Sequence, residues 1–111
     1  MYQLNELFYM QEHLDATIHH QHHKDYASTL NERTLALLVE LGELANETRC
    51  FKYWSVKEAS PMSVIMEEFS DGIHFLLSLG IHFNADVNYE FSPFKWKDNL
   101  TIVFNQLFAE I

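Results

Sequence analysis

The most apolar stretch of the chain is residues 35–45, in which nine of the eleven residues are non-polar and none is proline. A helix that is hydrophobic on nearly every side belongs in a protein interior, so we expect residues 35–45 to be buried. Glu40 and Glu43 lie within this stretch, three residues apart and therefore on one face of the helix. Because a buried carboxylate either takes up a proton or pairs with a cation, two neighbouring carboxylates here indicate a metal site.

A first helix is predicted over residues 4–20, where apolar residues recur at helical spacing. At about 100° per residue, Gln11 and Asp15 fall in the middle of the apolar stripe and not opposite it. Polar side chains on such a stripe need partners, which are either other side chains or a ligand. The histidine-rich residues 19–24 are predicted to connect two helices. We do not expect them to form a functional metal site, because no carboxylate or cysteine is spaced to complete one.

Two longer helices are predicted in the middle of the chain. The second begins near Asp25 or Ser28 and extends to Glu47 or beyond. The third begins at residues 60–61, because serine followed by proline supplies a capping hydroxyl and a residue suited to the first helical position. It is predicted to end just before Gly80, since glycine often follows the last residue of a helix.

The third helix carries a second acidic pair. Glu68 projects among apolar residues, whereas Asp71 lies three residues later at the border of the apolar stripe. The apolar neighbours of Glu68 are Val64, Phe75 and Leu79. The polar side of the helix is predicted to consist of Ser63, Glu67, Ser70, His74 and Ser78.

Antiparallel packing of the second and third helices would bring four carboxylates together. These are the carboxylates of Glu40, Glu43, Glu68 and Asp71. Hard oxygen ligands of this kind suit Mg²⁺ or Mn²⁺, which keep positions open for water and phosphate oxygens. Two such ions can hold a pyrophosphate linkage and lower the pKa of a bound water that attacks phosphorus. The pattern therefore predicts metal-dependent phosphate chemistry.

The end of the chain is less regular. Residues 81–97 are predicted to form a connection with a short helical piece after residues 92–93, and a last helix opens near Asp98. The apolar stripe of that helix continues to Ile111, so we expect either a longer protein or packing against a second subunit. With only three glycines and two prolines, the chain is predicted to be all-α: a bundle of about four to five helices in one domain, residues 1–111.

Charge and cysteine content limit the partners and the compartment. The formal net charge of −9 argues against direct binding to nucleic acid, which is itself polyanionic. The single Cys50 cannot form an internal disulfide, which suits a reducing compartment. Because the N-terminus does not resemble a signal peptide, we expect a cytoplasmic protein, and because no apolar stretch approaches membrane length, we expect no membrane partner.

Four segments carry a family resemblance. They are E-L-G-E-L-A-N-E-T at residues 40–48, F-K-Y-W-S at residues 51–55, E-F-S-D-G-I-H-F at residues 68–75 and L-F-x-x-Q-x-x-L-D at residues 7–15. Over about residues 4–83 the chain resembles the all-α nucleoside triphosphate pyrophosphohydrolases, which include the MazG-type enzymes. Within that group it is most similar to the dimeric dUTPase branch. The resemblance implies a helical fold, a homodimer and dependence on Mg²⁺, with Mn²⁺ as a substitute. It also implies hydrolysis of dUTP to dUMP and pyrophosphate, with dUDP as a further candidate substrate.

The resemblance also implies roles for individual residues. The Mg²⁺ ligands would be Glu40, Glu43, Glu68 and Asp71. One glutamate of the first pair would also orient or deprotonate the attacking water. Gln11 would contact the uracil edge, whose N–H and carbonyl groups suit an amide, and Trp54 would pack against the base or the deoxyribose. Asp15 would pair with Gln11 or position a water, and Lys52 and Lys57 are candidates for phosphate contacts.

The chain departs from this family at its end, and other interpretations stay open. Longer dimeric dUTPases carry a segment of the form K-N-x-x-N-x-x-R-Q, which residues 84–111 do not match, so we expect the chain to lack a C-terminal segment. One alternative is a MazG-like enzyme acting on another nucleotide, and a second is a helical interaction protein without activity. A di-iron bundle would need two Glu-x-x-His pairs, and the chain offers only Asp71 and His74 at that spacing.

Overall fold

The computed structural model describes residues 2–86, 90–91 and 99–111. Within these residues the chain forms four α-helices, which span Asn5–His22 (α1), Leu30–Thr48 (α2), Met62–His82 (α3) and Leu100–Glu110 (α4). A 3₁₀ turn at Ala27–Thr29 leads into α2, and Tyr2–Gln3 pairs antiparallel with Glu90–Phe91. The prediction of an all-α fold is confirmed.

The helices α2 and α3 form the most extensive helix pair and run antiparallel. At the start of α2, Arg33 donates hydrogen bonds to Ser78 near the end of α3. At the end of α2, the Glu47 carboxylate accepts a hydrogen bond from the hydroxyl of Ser60, just before α3 begins. The two acidic pairs lie between these contacts, so the packing holds them at the same level.

Two glycines lie where other helices contact α3, and a close approach requires one of them. The Cβ atom of Glu40 lies 3.9 Å from the position that a Cβ at Gly72 would take, which is an ordinary contact distance. A Cβ at Gly80 would lie 2.8 Å from Cε1 of Phe8, which is too close for any other residue type without rearrangement. Gly80 is therefore a packing position inside the helix, and the prediction that the third helix ends before it is wrong, since α3 continues to His82.

The prediction of a connection over residues 19–24 is wrong for most of that segment. Residues 19–22 belong to α1, because histidine and glutamine do not interrupt a helix. The helix ends at His23, whose φ of 56° is left-handed. The backbone N–H of Lys24 then donates to the carbonyl oxygen of His19 at 2.8 Å, which satisfies one of the last carbonyl groups of α1.

The starts of α2 and α3 also differ from the sequence prediction. The Asp25 carboxylate accepts the backbone N–H of Ser28 at 2.8 Å, which begins the 3₁₀ turn, and α2 itself starts two residues later. The Ser60 hydroxyl does not cap α3, because it is used in the contact with Glu47. Pro61 directly precedes the first residue of α3, as its fixed backbone conformation favours.

The expectation that residues 35–45 are buried on every side is wrong for the single chain. Leu37 and Ala45 are buried, whereas Leu35 and Val39 are 62% and 49% exposed. The other described helices cover the face of α2 that carries Leu37, and they leave the face with Leu35 open. The helix α2 therefore carries more apolar side chains than the described part of a single chain buries.

The last helix is capped and partly buried. The side chain of Asn99 accepts the backbone N–H of Ile102 at 3.1 Å and so caps α4. Val103 and Phe104 are buried, and α4 contacts α2. The buried side chains of Val103 and Phe104 therefore pack α4 against the rest of the bundle.

Two predictions for the segment before α4 lie outside the described residues. These are the short helical piece after residues 92–93 and a helix start at Asp98. Among the described helices, none is both long enough and apolar enough to cross a membrane.

Candidate functional site

Three carboxylates meet where α2 packs on α3. Glu40, Glu68 and Asp71 each offer an oxygen atom, and these oxygens all lie within 4.8 Å of one another. The three side chains are half-buried. Glu43, the fourth predicted ligand, is exposed, but its charge acts on both Glu40 and Glu68. We call these four residues the acidic cluster.

Crowding raises the pKa values of two of these carboxyl groups. Burial and, next, the charge of Glu43 raise the pKa of Glu40. A hydrogen-bonding contact with Glu43, followed by burial, raises the pKa of Glu68 to about 7. Because the ionised groups repel one another, the acidic cluster favours a bound proton or a bound cation.

Two oxygen atoms of the acidic cluster have no hydrogen-bond partner in the described part of the chain. They are the Oε2 atoms of Glu40 and Glu68, and both are shielded from solvent. A buried oxygen without a partner costs free energy, which a cation would offset for both atoms at once. Oxygen ligands that converge from two helices are the type that Mg²⁺ and Mn²⁺ prefer, so these residues fit such an ion.

A cavity of about 410 Å³ lies next to the acidic cluster, is lined mainly by residues of α1, α2 and α3, and is open to solvent on one side. Ala36 and Phe75 line this cavity. Ala36 lies four residues before Glu40 on α2, and Phe75 lies four residues after Asp71 on α3. Four residues rise about 6 Å along a helix axis, so the cavity and the acidic cluster adjoin along the same two helices.

Gln11 and Asp15 line the cavity from α1 and are only 5% and 7% exposed. The Gln11 Nε2 atom donates to Asp15 Oδ1 at 2.9 Å, and the Tyr26 hydroxyl donates to Asp15 Oδ2 at 3.0 Å. The Gln11 Oε1 atom lies 2.8 Å from Nδ1 of His74. The sequence left open whether these polar residues have internal partners or face a ligand. They have internal partners and also face the cavity.

The guanidinium group of Arg33 extends this polar network. It donates to the carbonyl oxygen and the hydroxyl of Ser78, both at 3.2 Å, and to the carbonyl oxygen of Tyr26 at 2.6 Å. It also contacts Thr29 Oγ1 and His82 Nδ1, each at 3.0 Å. All five guanidinium N–H groups can therefore be satisfied although Arg33 is buried.

The sequence interpretation missed Arg33, although a signal was present. Arg33 lies seven residues before Glu40 and so shares its helix face, which places an arginine two turns from the acidic cluster. Ser78 was assigned to the polar side of the third helix. That prediction is wrong for Ser78, which is 1% exposed, because Arg33 supplies its hydrogen bonds inside the bundle.

The other predicted substrate-binding residues lie between α2 and α3, and none of them lines the cavity. They are Lys52, Trp54 and Lys57. Trp54 is 65% exposed, with its ring edge against Tyr53 at a centroid distance of 5.2 Å. Arg49 shapes this segment by donating to the Ser55 hydroxyl at 2.8 Å and to the carbonyl oxygen of Lys57 at 3.2 Å. We call residues 49–61 the connecting segment.

Comparison with known proteins gives a family match over almost the whole chain. The model of a family described as dUTPase matches residues 3–111. No curated protein and no solved structure matches the chain.

Proposed function

Because the chain belongs to the all-α dUTPase family and is therefore a dUTP diphosphatase, we propose that it hydrolyses dUTP to dUMP and pyrophosphate with Mg²⁺. The observation that best supports the role of the metal is the position of the acidic cluster, one helical turn from the cavity. A nucleotide could place its base in the cavity and its phosphates at the acidic cluster. We assign this reaction to the cytoplasm, where it would limit uracil incorporation into DNA.

We infer that Glu40, Glu68 and Asp71 hold the metal, with Glu43 completing the set. When bound, Mg²⁺ would neutralise phosphate charge and lower the pKa of a bound water, and Mn²⁺ would do the same. Of the two catalytic candidates on α2, Glu40 is half-buried among its neighbours, whereas Glu43 is exposed to solvent. We therefore assign to Glu43 the task of orienting the attacking water and accepting its proton.

For the base, we propose that Gln11 and Asp15 form the polar end of the pocket. The amide of Gln11 uses one N–H and one lone pair within the protein, which leaves one of each for a base edge. We propose that Trp54 approaches the base or deoxyribose from the connecting segment, and that Lys52 and Lys57 approach the phosphates. The exposure of Trp54 leaves its ring free for such a contact. The shorter dUDP is a further candidate substrate.

The substrate assignment predicts strong preference among nucleotides. With Mg²⁺ present, kcat/KM for pyrophosphate release from dUTP should exceed the values for dCTP and dATP by at least about tenfold, because polar side chains that hydrogen-bond uracil are left unpaired by those bases. Thymine presents the same hydrogen-bonding edge as uracil, so a preference for dUTP over dTTP requires steric exclusion of the 5-methyl group. Chelation of the metal should abolish release, and Mn²⁺ should restore it. Equal rates on all four nucleotides would contradict the uracil assignment and favour a MazG-like specificity. Activity without a metal would contradict the role of the acidic cluster.

We also propose that the enzyme is a homodimer. Leu35 and Val39 expose adjacent apolar side chains on α2, and exposed apolar surface of this kind is typical of an interface. Light scattering should give twice the 13.1 kDa mass of one chain. Leu35→Glu should shift the protein towards the monomer, whereas Val56→Glu, at a fully exposed position, should not. A wild-type protein that is monomeric at micromolar concentration would contradict this proposal.

A further inference from the structure

Arg49, which directly follows α2, has a backbone conformation that is unusual for its residue type. Three described non-glycine residues have a positive φ: His23 at 56°, Arg49 at 57° and Asn84 at 56°. Histidine and asparagine are enriched several-fold in this left-handed region, whereas most other non-glycine residues are uncommon there. Glycine is the residue most often found in this conformation after a helix. The backbone at position 49 therefore favours glycine, and what arginine contributes there comes from its side chain.

The side chain of Arg49 closes a compact loop within the connecting segment. Its Nη2 atom donates to the Ser55 hydroxyl at 2.8 Å, and its Nε atom donates to the carbonyl oxygen of Lys57 at 3.2 Å. The same hydroxyl oxygen of Ser55 also accepts the backbone N–H of Lys57 at 3.2 Å. The carbonyl oxygen of Arg49 accepts the backbone N–H of Lys52 at 3.1 Å, which closes a tight turn. Arg49 therefore holds the backbone of both lysines.

The connecting segment concentrates positive charge in an acidic chain. The described part of the chain contains five lysines and arginines, and three of them lie in this segment, namely Arg49, Lys52 and Lys57. The net charge of the whole chain is −9, so the segment differs in sign from the rest of the protein. A local group of cations of this kind attracts an anion such as phosphate.

The connecting segment lies on the opposite side of the acidic cluster from the cavity. Along α2, Ala36 of the cavity comes seven residues before Glu43, and Arg49 comes six residues after it. Six residues correspond to about 9 Å along the helix axis. The contact between Glu47 and Ser60 holds the segment at this end of the two helices. A nucleotide with its base in the cavity and its phosphates at the acidic cluster would therefore direct its last phosphate towards the connecting segment.

We propose that Arg49 is a positioning residue for phosphate binding, which holds the connecting segment in the form that presents Lys52 and Lys57 to the nucleotide. This inference rests on the proposed function, in which the two lysines approach the phosphates. A segment that is already ordered loses less conformational freedom when a ligand binds, and the affinity is higher for that reason. Arginine at position 49 orders the segment, which glycine in the same backbone conformation could not do.

Arg49→Gly tests this role, because it removes both side-chain hydrogen bonds and leaves a residue that adopts the same φ without strain. With Mg²⁺ present, we expect KM for dUTP to rise about tenfold and kcat to stay within about threefold, since the phosphate contacts form in the substrate complex as well as in the transition state. The inhibition constant of deoxyuridine, which has no phosphate, should not change. The urea midpoint of unfolding should also change little, because the relief of strain offsets the lost hydrogen bonds.

A second variant separates positioning from charge. Ser55→Ala keeps the charge of the chain and removes the hydroxyl that accepts from Arg49 and from the backbone of Lys57, so it should raise KM by a similar factor. The double variant should raise KM little further than Arg49→Gly alone, because both substitutions break the same contact. The matched controls are His23→Gly, which replaces the left-handed residue after α1, and Ser63→Ala, at an exposed serine of α3. Both should keep the wild-type KM.

The outcomes separate this inference from the function on which it rests. A wild-type protein that hydrolyses dUTP, with KM unchanged in Arg49→Gly, would overturn the role of Arg49 alone. A rise of KM in Arg49→Gly without a rise in Ser55→Ala would show that the charge of Arg49 acts directly on the substrate, and would overturn the positioning role. If Arg49→Gly does not fold, the KM of Ser55→Ala decides. A wild-type protein that releases no pyrophosphate from dUTP would overturn the proposed function, and the role of Arg49 with it.

Discussion

Glu43→Gln and Asp71→Asn should each lower kcat for dUTP at least about a hundredfold while leaving the helical fold intact. A metal ion and the base that activates a water supply several kcal/mol of transition-state stabilisation, and each 1.4 kcal/mol corresponds to a factor of ten. Asp71 is one of the three residues whose oxygens converge, so its loss should also raise the Mg²⁺ concentration needed for half-maximal activity. Glu43 lies at the solvent side, so its replacement should lower kcat with a smaller effect on the metal requirement.

The measurement is pyrophosphate release at saturating dUTP over a series of Mg²⁺ concentrations. Glu67→Gln is the matched control, because it makes the same chemical change at an exposed position next to Glu68. It should retain wild-type kcat. Activity within threefold of wild type in Glu43→Gln or Asp71→Asn would refute the role assigned to that residue.

Arg33→Met should lower the free energy of unfolding by about 3 kcal/mol. The substitution removes the donors that satisfy the buried carbonyl and hydroxyl oxygens of Ser78 and the carbonyl oxygen of Tyr26. Each buried acceptor left without a partner costs about 1–3 kcal/mol, offset in part because the buried charge is also removed. Since small domains are stable by only about 5–15 kcal/mol, the loss should be large on that scale.

Urea unfolding of the metal-free protein measures this change. Arg33→Lys keeps the charge but has three donors in place of five, so its stability should fall between those of the wild type and Arg33→Met. Lys57→Met, at an exposed position, should change stability by less than about 0.5 kcal/mol. A loss below about 1 kcal/mol in Arg33→Met would show that the network around Arg33 does not stabilise the fold.

Local patterns predicted the existence of the helices better than their ends. The periodicity of apolar residues extends over many turns and is insensitive to single positions, so the four helices could be located. The end of α3 was misplaced because glycine often terminates helices, whereas Gly80 is required by contact with Phe8 from another helix. That contact joins residues far apart in sequence, and no local rule contains it.

The candidate site shows the same difference between what local sequence patterns predict and what depends on contacts between distant residues. Glu40 and Glu68 could be identified because a carboxylate inside an apolar stripe is unusual, and that information is local. The role of Arg33 depends on Ser78, 45 residues away, and Gln11 contacts His74, 63 residues away. Arginine near a helix start is ordinarily a surface residue, so only the packing of α2 on α3 distinguishes this one.

The antiparallel contacts between α2 and α3 limit where this chain can change in length. They lie at three levels: Arg33 with Ser78, Glu40 beside Gly72, and Glu47 with Ser60. One residue inserted in α2 between the first and last level would turn the following part of the helix by about 100°, so the levels could no longer all be matched. One residue inserted between positions 50 and 59 would change none of them. Relatives of this chain should therefore differ in length between these helices and keep a constant spacing over residues 33–47.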